Sequence, residues 1–175
     1  YLETLKSREV TPEKQQEFYD VMLADSDRLL NTVDQVLSAS KTGETRSRYD
    51  VEELDIGRVL EGSAAIVRSR YNLDPGSIRI AENEDGIRVL GDADELQTAF
   101  VNLLDNAVKY SPGGAKVSVR VKASPIRNGI GIFIKDNGVG MEGAELKRVF
   151  KRFYRVPQAD GKKVKGTGLG LFIVN

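Results

Sequence analysis

Three polar side chains with helical spacing give the first chemical signal in the sequence. Asn102, Asn106 and Lys109 are separated by four and three residues, which places them on one face of an α-helix. Amide oxygens are hard ligands that suit Mg²⁺, and a lysine ammonium offsets phosphate charge. The pattern favours a magnesium–phosphate ligand, although asparagines on a helix are more often only solvated.

An acidic residue followed by glycines marks a second place for ligand contact. The segment Asp136-Asn-Gly-Val-Gly140-Met comes directly after an alternation of isoleucines that is typical of a strand. A carboxylate there can accept the exocyclic N–H of adenine, and glycines let a flat base approach the backbone. Asp-Asn-Gly is also a common turn former, so the segment alone predicts a turn.

A glycine-rich segment, Gly166-Thr-Gly-Leu-Gly-Leu171, leads into an apolar run that ends at Val174. Glycines at a helix start expose backbone N–H groups to phosphate. The spacing is not that of a dinucleotide fingerprint, and Gly166 stands where a Walker loop needs lysine before Thr167. A flexible linker would not continue into Leu-Phe-Ile-Val, so we expect a phosphate-binding loop.

The order of these segments resembles that of one domain family. The segments 102–110, 136–141, 150–155 and 166–171 are similar, in this order, to the N, G1, F and G2 boxes of the sensor histidine kinase catalytic domain. That domain belongs to the superfamily shared with gyrase, Hsp90 and MutL. The resemblance covers about residues 50–175, and the part before it resembles the dimerisation domain that precedes the catalytic domain in such kinases. The four boxes together are very specific, whereas each box alone is not.

The resemblance implies how these segments would bind Mg-ATP. Asp136 would be the main adenine contact, and residues between Arg155 and Gly166 would form a lid over the nucleotide. Asn106 is the first candidate metal ligand and Asn102 the second, directly or through water, and with Lys109 they form the expected catalytic group. The expected nucleotide contacts are Asn106, Lys109, Tyr110, Asp136, Gly138, Gly140, Arg155, Lys165, Gly166, Thr167, Gly168, Leu169, Gly170 and Leu171.

Three aromatic residues of the third box, Phe150, Phe153 and Tyr154, are expected to pack at the base of the lid rather than to stack on adenine.

The identity of residue 102 separates members of the superfamily. Hydrolytic relatives carry Glu at the position of Asn102, where it activates water. An amide cannot act as the general base that makes water a nucleophile. We therefore expect a site that holds Mg-ATP and offers its γ-phosphate to an external histidine, from which phosphate would pass to an aspartate of a response regulator.

Composition limits the class of protein. The 175 residues carry 26 Lys+Arg against 26 Asp+Glu, so there is no global basic field for nucleic acid. The sequence has no Cys, which excludes disulfide scaffolds and thiolate metal sites. No apolar run approaches membrane-spanning length. We expect a cytoplasmic catalytic part whose only membrane attachment, if any, lies in segments upstream.

The first part of the chain reads as a helical hairpin, residues 1–42, followed by a polar linker, residues 43–48. Thr11 and Pro12 fit a helix start. One hairpin cannot bury its apolar stripe alone, so it packs on the same chain or on a second copy; the resemblance favours a homodimeric four-helix bundle. The family's phosphate-accepting His is missing, since the sequence contains no His. It is either upstream or absent, and a start within a helix favours upstream.

Residues 49–175 read as one ATP-binding domain. We expect a short strand at 49–52, a helix from Asp55 to about Tyr71, a turn at 74–76, and strands around 78–80, 87–89, 117–121 and 130–134. The anchor helix starts at Asp92, with Glu95 at a capping-box spacing, and ends at Ser111-Pro-Gly-Gly. Its predicted apolar stripe is Leu96, Ala99, Phe100, Leu103 and Ala107.

This arrangement predicts an α+β fold, a two-layer α/β sandwich of the Bergerat ATP-binding type preceded by the helical hairpin. The sheet is expected to lack its last strands, since the family continues beyond the fourth box. The expected function is the catalytic core of a sensor histidine kinase. Three alternatives are an ATPase of the same superfamily that acts as a conformational switch, a non-catalytic dimeric scaffold, and a serine kinase of the superfamily.

Overall fold

The computed structural model describes residues 10–22, 33, 50–81, 86–124, 129–156 and 166–174. The chain divides into two units, Tyr1–Gly43 and Glu44–Asn175. In the first unit residues 12–22 are helical. The Thr11 carbonyl accepts a hydrogen bond from the Gln15 amide at 2.9 Å, so the helix begins with Pro12 as predicted. Apart from these residues and the exposed, helical Val33, the predicted hairpin and its linker lie outside the described residues.

Two helices of the second unit begin at aspartate caps. Helix α1 spans Ile56–Arg70, and the Asp55 carboxylate accepts hydrogen bonds from the amides of residues 57 and 58. Helix α2 spans Ala93–Lys109, and Asp92 caps the amides of residues 94 and 95 in the same way. A capping carboxylate satisfies amides that have no partner within the helix. Both predicted helix starts are therefore confirmed.

The strands form two sheets. Strands β1 (Glu52–Asp55) and β3 (Arg88–Gly91) pair in antiparallel orientation. The larger sheet has the order β2 (Ile78–Ile80), β4 (Val117–Ser124), β5 (Gly129–Lys135). In it β2 runs parallel to β4, with Ile78 opposite Val117, and β5 runs antiparallel to β4, with Val119 opposite Ile134. The predicted turn at 74–76 is a 3₁₀ helix, Pro75–Ser77.

The core lies between the two helices and the larger sheet. Alternate valines of β4 point into it, because successive strand residues face opposite sides of a sheet. The isoleucines of β5 pack against it as half-buried residues. The buried core residues are Ile56, Leu60, Ala64, Val67, Ile78, Phe100, Leu104, Ala107, Val108, Ala115, Val117, Val119 and Val121. Helices on one face of a mixed sheet give the predicted two-layer α/β sandwich.

Two local predictions are wrong. The first strand is Glu52–Asp55, not 49–52, because its partner β3 ends at Gly91 opposite Glu52 and fixes the register. On α2 the innermost leucine is Leu104, which is 0% exposed, whereas Leu103 is half-buried. Phe100 and Ala107 of the predicted stripe are buried as expected, and Leu104 takes the place of Leu103 between them. A short third helix, α3, spans Gly170–Val174 and follows the glycine-rich segment as predicted.

Candidate functional site

Helix α2 places Asn102 against the start of α3. The Asn102 side-chain amide donates to the carbonyl of Thr98 at 2.9 Å, one turn earlier. This bond leaves Oδ1 facing the glycine loop: a Cβ added to Gly170 would lie 3.0 Å from that oxygen. Gly170 is therefore a point of close approach between the first and fourth boxes.

Asn106 lies one turn further along α2 and is half-buried. Its backbone carbonyl accepts the Tyr110 amide at 3.0 Å, and no hydrogen bond to another described residue involves its side-chain amide. Nowhere in the described ranges do three His, Cys, Asp or Glu residues cluster in a way that could hold a metal ion. A metal at this place would need amide and phosphate oxygens as ligands, which is the donor set that Mg²⁺ accepts.

The loop after β5 docks on the C-terminal end of α2. The amide of Val139 donates to the carbonyl of Tyr110 at 3.0 Å, and Oδ1 of Asp136 accepts the Gly138 amide at 2.7 Å. A Cβ added to Gly138 would lie 2.7 Å from both the Tyr110 carbonyl oxygen and Asp136 Oδ1. Only glycine fits there. Gly140 adopts a positive φ of 71°, and Asp136 itself is exposed at the edge of the loop.

Asn137 ties this loop to the segment that follows α2. Its Oδ1 accepts the amide of Lys116 at 2.8 Å, and its Nδ2 donates to the carbonyl of Gly114 at 3.0 Å. One side chain thus satisfies two backbone groups that no strand pairing reaches. The loop that carries Asp136 is held from two sides, by α2 and by the segment 114–116.

The third and fourth boxes contact each other through backbone atoms. The Phe153 amide donates to the carbonyl of Gly168 at 3.1 Å. Gly168 has a φ of +77°, and a Cβ there would lie 2.8 Å from the carbonyl carbon of Phe153. Within the same loop, Thr167 Oγ1 accepts the Leu169 amide at 3.3 Å. Leu169 is buried and Leu171 half-buried, while Gly166 is exposed, so the loop is anchored at its second half.

Tyr154 of the third box forms a polar cluster with two residues of the preceding segment, Glu145 and Arg148. The Tyr154 hydroxyl donates to Glu145, and the resulting hydrogen bond raises the pKa of Tyr154 above its ordinary value. Arg148 pairs with Glu145 at 3.3 Å and lies over the Tyr154 ring, 4.4 Å from its centroid. Phe150 and Phe153 are 40% and 68% exposed. Residues 157–165 of the lid lie outside the described residues, so the predicted packing of these aromatic side chains at its base stays a prediction.

Lys109 takes part in an ion-pair network that links α2 to α1. Its ammonium lies 2.5 Å from Oδ2 of the buried Asp105. Oδ1 of the same carboxylate accepts the Tyr71 hydroxyl at 2.7 Å and Arg70 at 3.3 Å. Burial, with the neighbouring Asp105 carboxylate, raises the pKa of Tyr71 far above its ordinary value. Sequence reasoning missed Asp105, although its spacing of four residues before Lys109 is that of a helical ion pair.

Comparison with known proteins identifies the family. Residues 91–175 match the histidine kinase-, DNA gyrase B- and HSP90-like ATPases. The chain is 35% identical over 165 residues to the sensor-like histidine kinase SenX3 of Mycolicibacterium smegmatis, a match that covers 93% of the chain and 42% of SenX3. It is also 35% identical to the solved structure of a mycobacterial sensor histidine kinase, MprB, with a TM-score of 0.57 over 71% of the chain and 75% of MprB. The chain belongs to the sensor histidine kinase family.

This histidine kinase chain is also similar to a structure of full-length ShkA in complex with AMPPNP, with 25% identity and a TM-score of 0.69. The match covers 97% of the chain and 34% of ShkA. The chain spans about two-fifths of the length of SenX3. The predicted two-layer α/β sandwich and the assignment to the histidine kinase catalytic domain are confirmed, whereas the dimerising hairpin stays a prediction.

Five of the expected site residues of this kinase domain form two groups along α2. Asn102 meets Gly170 at one group, and Tyr110 meets Gly138 and the loop of Asp136 at the other. Arg155, the last residue of the third box, is exposed. Lys165 lies outside the described residues, so its expected role stays a prediction. The sequence did not predict the hydrogen bonds of Asn137, because no spacing rule relates this residue to Lys116.

Proposed function

We propose that the chain binds Mg-ATP along α2 and serves as the catalytic part of a kinase that phosphorylates a histidine. The histidine would lie on a helix of the dimerisation domain, and phosphate would pass from it to an aspartate of a response regulator. Family membership supports the catalytic role. The nucleotide contacts, the metal ligands and the transfer are our proposal.

One observation carries the proposal: both glycine loops contact the same helix, eight residues apart. The fourth box approaches α2 at Asn102, and the loop of Asp136 docks at Tyr110. With a rise of 1.5 Å per residue, these positions are about 12 Å apart. A single extended ligand can touch both, with a base at one end and phosphates at the other.

The residues present fit ATP. At the Tyr110 end, Gly138 lets the loop pack closely against the Tyr110 carbonyl and the Asp136 carboxylate, which holds Asp136 beside the C-terminal end of α2. The carboxylate of Asp136 has one oxygen bonded to the Gly138 amide, and its other oxygen can accept the exocyclic amine of adenine. We assign Gly140 to the same base-binding loop.

At the Asn102 end, we assign the backbone of residues 166–171 to the phosphates. The side-chain oxygens of Asn106 and Asn102 would hold Mg²⁺, and the ion would supply positive charge to neutralise the phosphates. ATP supplies the γ-phosphoryl group. The chain contributes binding, orientation and charge neutralisation, with no general base at residue 102 to activate water.

The partners follow from the family. We propose that the predicted hairpin, residues 1–42, pairs with a second copy as a four-helix bundle, and that residues 43–48 connect it to the ATP-binding domain. A response regulator is the expected second partner. None of the described helices has the length and apolar character of a bilayer-spanning segment. We propose that the catalytic part works in the cytoplasm.

ATP binding is the first test. Mg-ATP is titrated into the 175-residue chain by calorimetry, beside Asp136→Asn, which keeps the Oδ1 acceptor for Gly138. We expect binding that the variant weakens. No binding by a folded wild-type chain would contradict the proposal.

The transfer itself is tested on a protein extended upstream of Tyr1 through the whole first helix, incubated with γ-labelled ATP and Mg²⁺. We expect a label that acid removes and base does not, which is the behaviour of phosphohistidine, and no label in Asp136→Asn. Steady release of phosphate without label would favour the ATPase. A folded dimer with neither label nor release would favour the scaffold.

A further inference from the structure

We propose that Asp105 is a positioning residue for nucleotide binding: together with Tyr71 it holds the Lys109 ammonium in place on the side of α2 that carries Asn106. This inference rests on the proposed function. Asp105 lies within the first box but is not one of the expected ligands, and Tyr71 is the C-cap of α1.

The two oxygens of Asp105 have separate partners. Oδ2 pairs with Lys109 at 2.5 Å. Oδ1 accepts the Tyr71 hydroxyl at 2.7 Å and an Arg70 nitrogen at 3.3 Å. The carboxylate therefore connects the C-terminal end of α1 to a side chain of α2, and its orientation is fixed from α1. A carboxylate can hold this many partners because it offers about four acceptor sites.

The ion pair between Asp105 and Lys109 is largely buried, which distinguishes it from a surface ion pair. The Asp105 side chain is 10% exposed and that of Lys109 is 29% exposed. Screening by water is weak at such a site, so the pair is held more tightly than exposed pairs, which contribute little. The two cations offset the single buried negative charge, and Tyr71 supplies a neutral donor. Asp105 therefore adds little repulsion toward a phosphate nearby.

The ion pair leaves Lys109 able to bind a ligand. An ammonium has three N–H donors, and Asp105 occupies one of them. Lys109 follows Asn106 by three residues, so both lie on one face of α2. A lysine has a long flexible chain whose ordering costs entropy when it binds. Holding its ammonium beforehand lowers that cost, which is how Asp105 would strengthen nucleotide binding without touching the nucleotide.

A double-mutant cycle in ATP affinity tests the inference. The Kd for Mg-ATP is measured by calorimetry for wild type, Asp105→Asn, Lys109→Met and the double variant, each checked for folding by circular dichroism. We expect Lys109→Met to weaken binding about tenfold, the size of losing one hydrogen bond to a charged group. Asp105→Asn should weaken it severalfold, and the double variant should bind as Lys109→Met does.

Three outcomes would overturn the inference. If Asp105→Asn lowers affinity by the same factor with or without Lys109, it acts through the fold and not through the lysine. If Lys109→Met binds ATP as well as wild type, the lysine has no role to be positioned, while the proposed function stands. If wild type does not bind ATP, the proposed function fails first.

Tyr71→Phe supplies a second variant that removes only one hydroxyl. It should weaken ATP binding in wild type and leave it unchanged in Lys109→Met, and it decides the question if Asp105→Asn does not fold. An effect of the same size in both backgrounds would contradict the inference. Asp94→Asn is the matched control, since this exposed carboxylate lies in the first turn of the same helix, and we expect it to leave the affinity unchanged.

Discussion

The amide of Val139 donates a hydrogen bond to the carbonyl oxygen of Tyr110, 3.0 Å away, so the loop after β5 is fastened to the C-terminal end of α2. Tyr110 is the C-cap of that helix, and a carbonyl at a helix end has no partner within the helix. The loop satisfies it. This contact decides where the Asp136 carboxylate stands relative to the asparagines of α2.

Replacing Gly138 by Ala should disrupt this junction. A Cβ would overlap the Tyr110 carbonyl oxygen and Asp136 Oδ1, both at 2.7 Å. Relief requires a backbone shift, and overpacking of this kind costs about 1–3 kcal/mol. We expect a lower Tm and a lower ATP affinity, measured by thermal unfolding and calorimetry. Gly143→Ala is the control, since a Cβ at Gly143 meets nothing within 4 Å. Equal behaviour of the two variants would argue against the junction.

Asp136→Asn should remove the base contact and keep the loop. Asparagine retains an oxygen for the Gly138 amide, which the native Oδ1 accepts at 2.7 Å, but turns the second oxygen into a donor. Loss of a hydrogen bond to a charged group costs about 1.5–3 kcal/mol, so ATP affinity should fall roughly tenfold or more. The measurement is the Kd for ATP and for GTP. We expect the preference for ATP to disappear, and a preserved preference would show that another group recognises the base.

Gly168→Ala should destabilise the contact between the third and fourth boxes. Gly168 has a φ of +77°, and a Cβ would lie 2.8 Å from Phe153. A non-glycine residue in the left-handed region costs about 1–3 kcal/mol. Gly166→Ala serves as the stability control, because it lies two residues away with open space around it. In urea unfolding, Gly168→Ala should have a lower midpoint than the wild type, and Gly166→Ala should not. Equal midpoints for the two variants would refute the prediction.

Two adjacent leucines of α2 should differ in their contribution to stability. Leu104 is 0% exposed in the core, whereas Leu103 is half-buried. Leu104→Ala should cost about 2–5 kcal/mol, the range for a fully buried leucine, and Leu103→Ala clearly less. Chemical denaturation of both variants measures the difference. A larger loss of unfolding free energy for Leu103→Ala than for Leu104→Ala would support the apolar stripe predicted from the sequence.

Stability should depend on Tyr71 in alkaline solution. Its pKa is raised in the folded protein by burial and by the hydrogen bond to Asp105. The folded chain keeps this proton at a pH where the unfolded chain has lost it, so the stabilisation is complete below the ordinary tyrosine pKa of about 10 and is lost as pH rises above it. Tyr71→Phe should reduce the fall in unfolding free energy above that pH. The same alkaline slope in both proteins would contradict the assignment.

Features that depend on neighbouring residues could be predicted from the sequence. The caps Asp55 and Asp92 act on amides two and three residues away, so local sequence contains the whole signal. The valines of β4 alternate because a strand has a period of two, and all three are buried. The sequence also indicated the glycines of the boxes, because their spacing reflects local turns that need glycine.

Features that depend on a distant partner could not be predicted. Leu103 and Leu104 are adjacent on α2, and which of them is buried depends on the elements that pack against the helix. Tyr71 and Asp105 are 34 residues apart, and no spacing rule relates them. The register of β1 was likewise set by β3 rather than by its own residues.

Asn137 joins two stretches of chain by hydrogen bonds, and we expect these stretches to open as one cooperative unit. Its side-chain amide forms hydrogen bonds with backbone groups of Lys116 and Gly114, 21 and 23 residues away. The loop that contains Asn137 is bonded to Tyr110 through the amide of Val139. Local opening of either stretch must break both bonds of this side chain, so the amide hydrogens of Lys116 and Val139 should exchange with solvent at the same rate. In Asn137→Ala the two rates should separate. A single side chain thus sets how much of the domain must open at once.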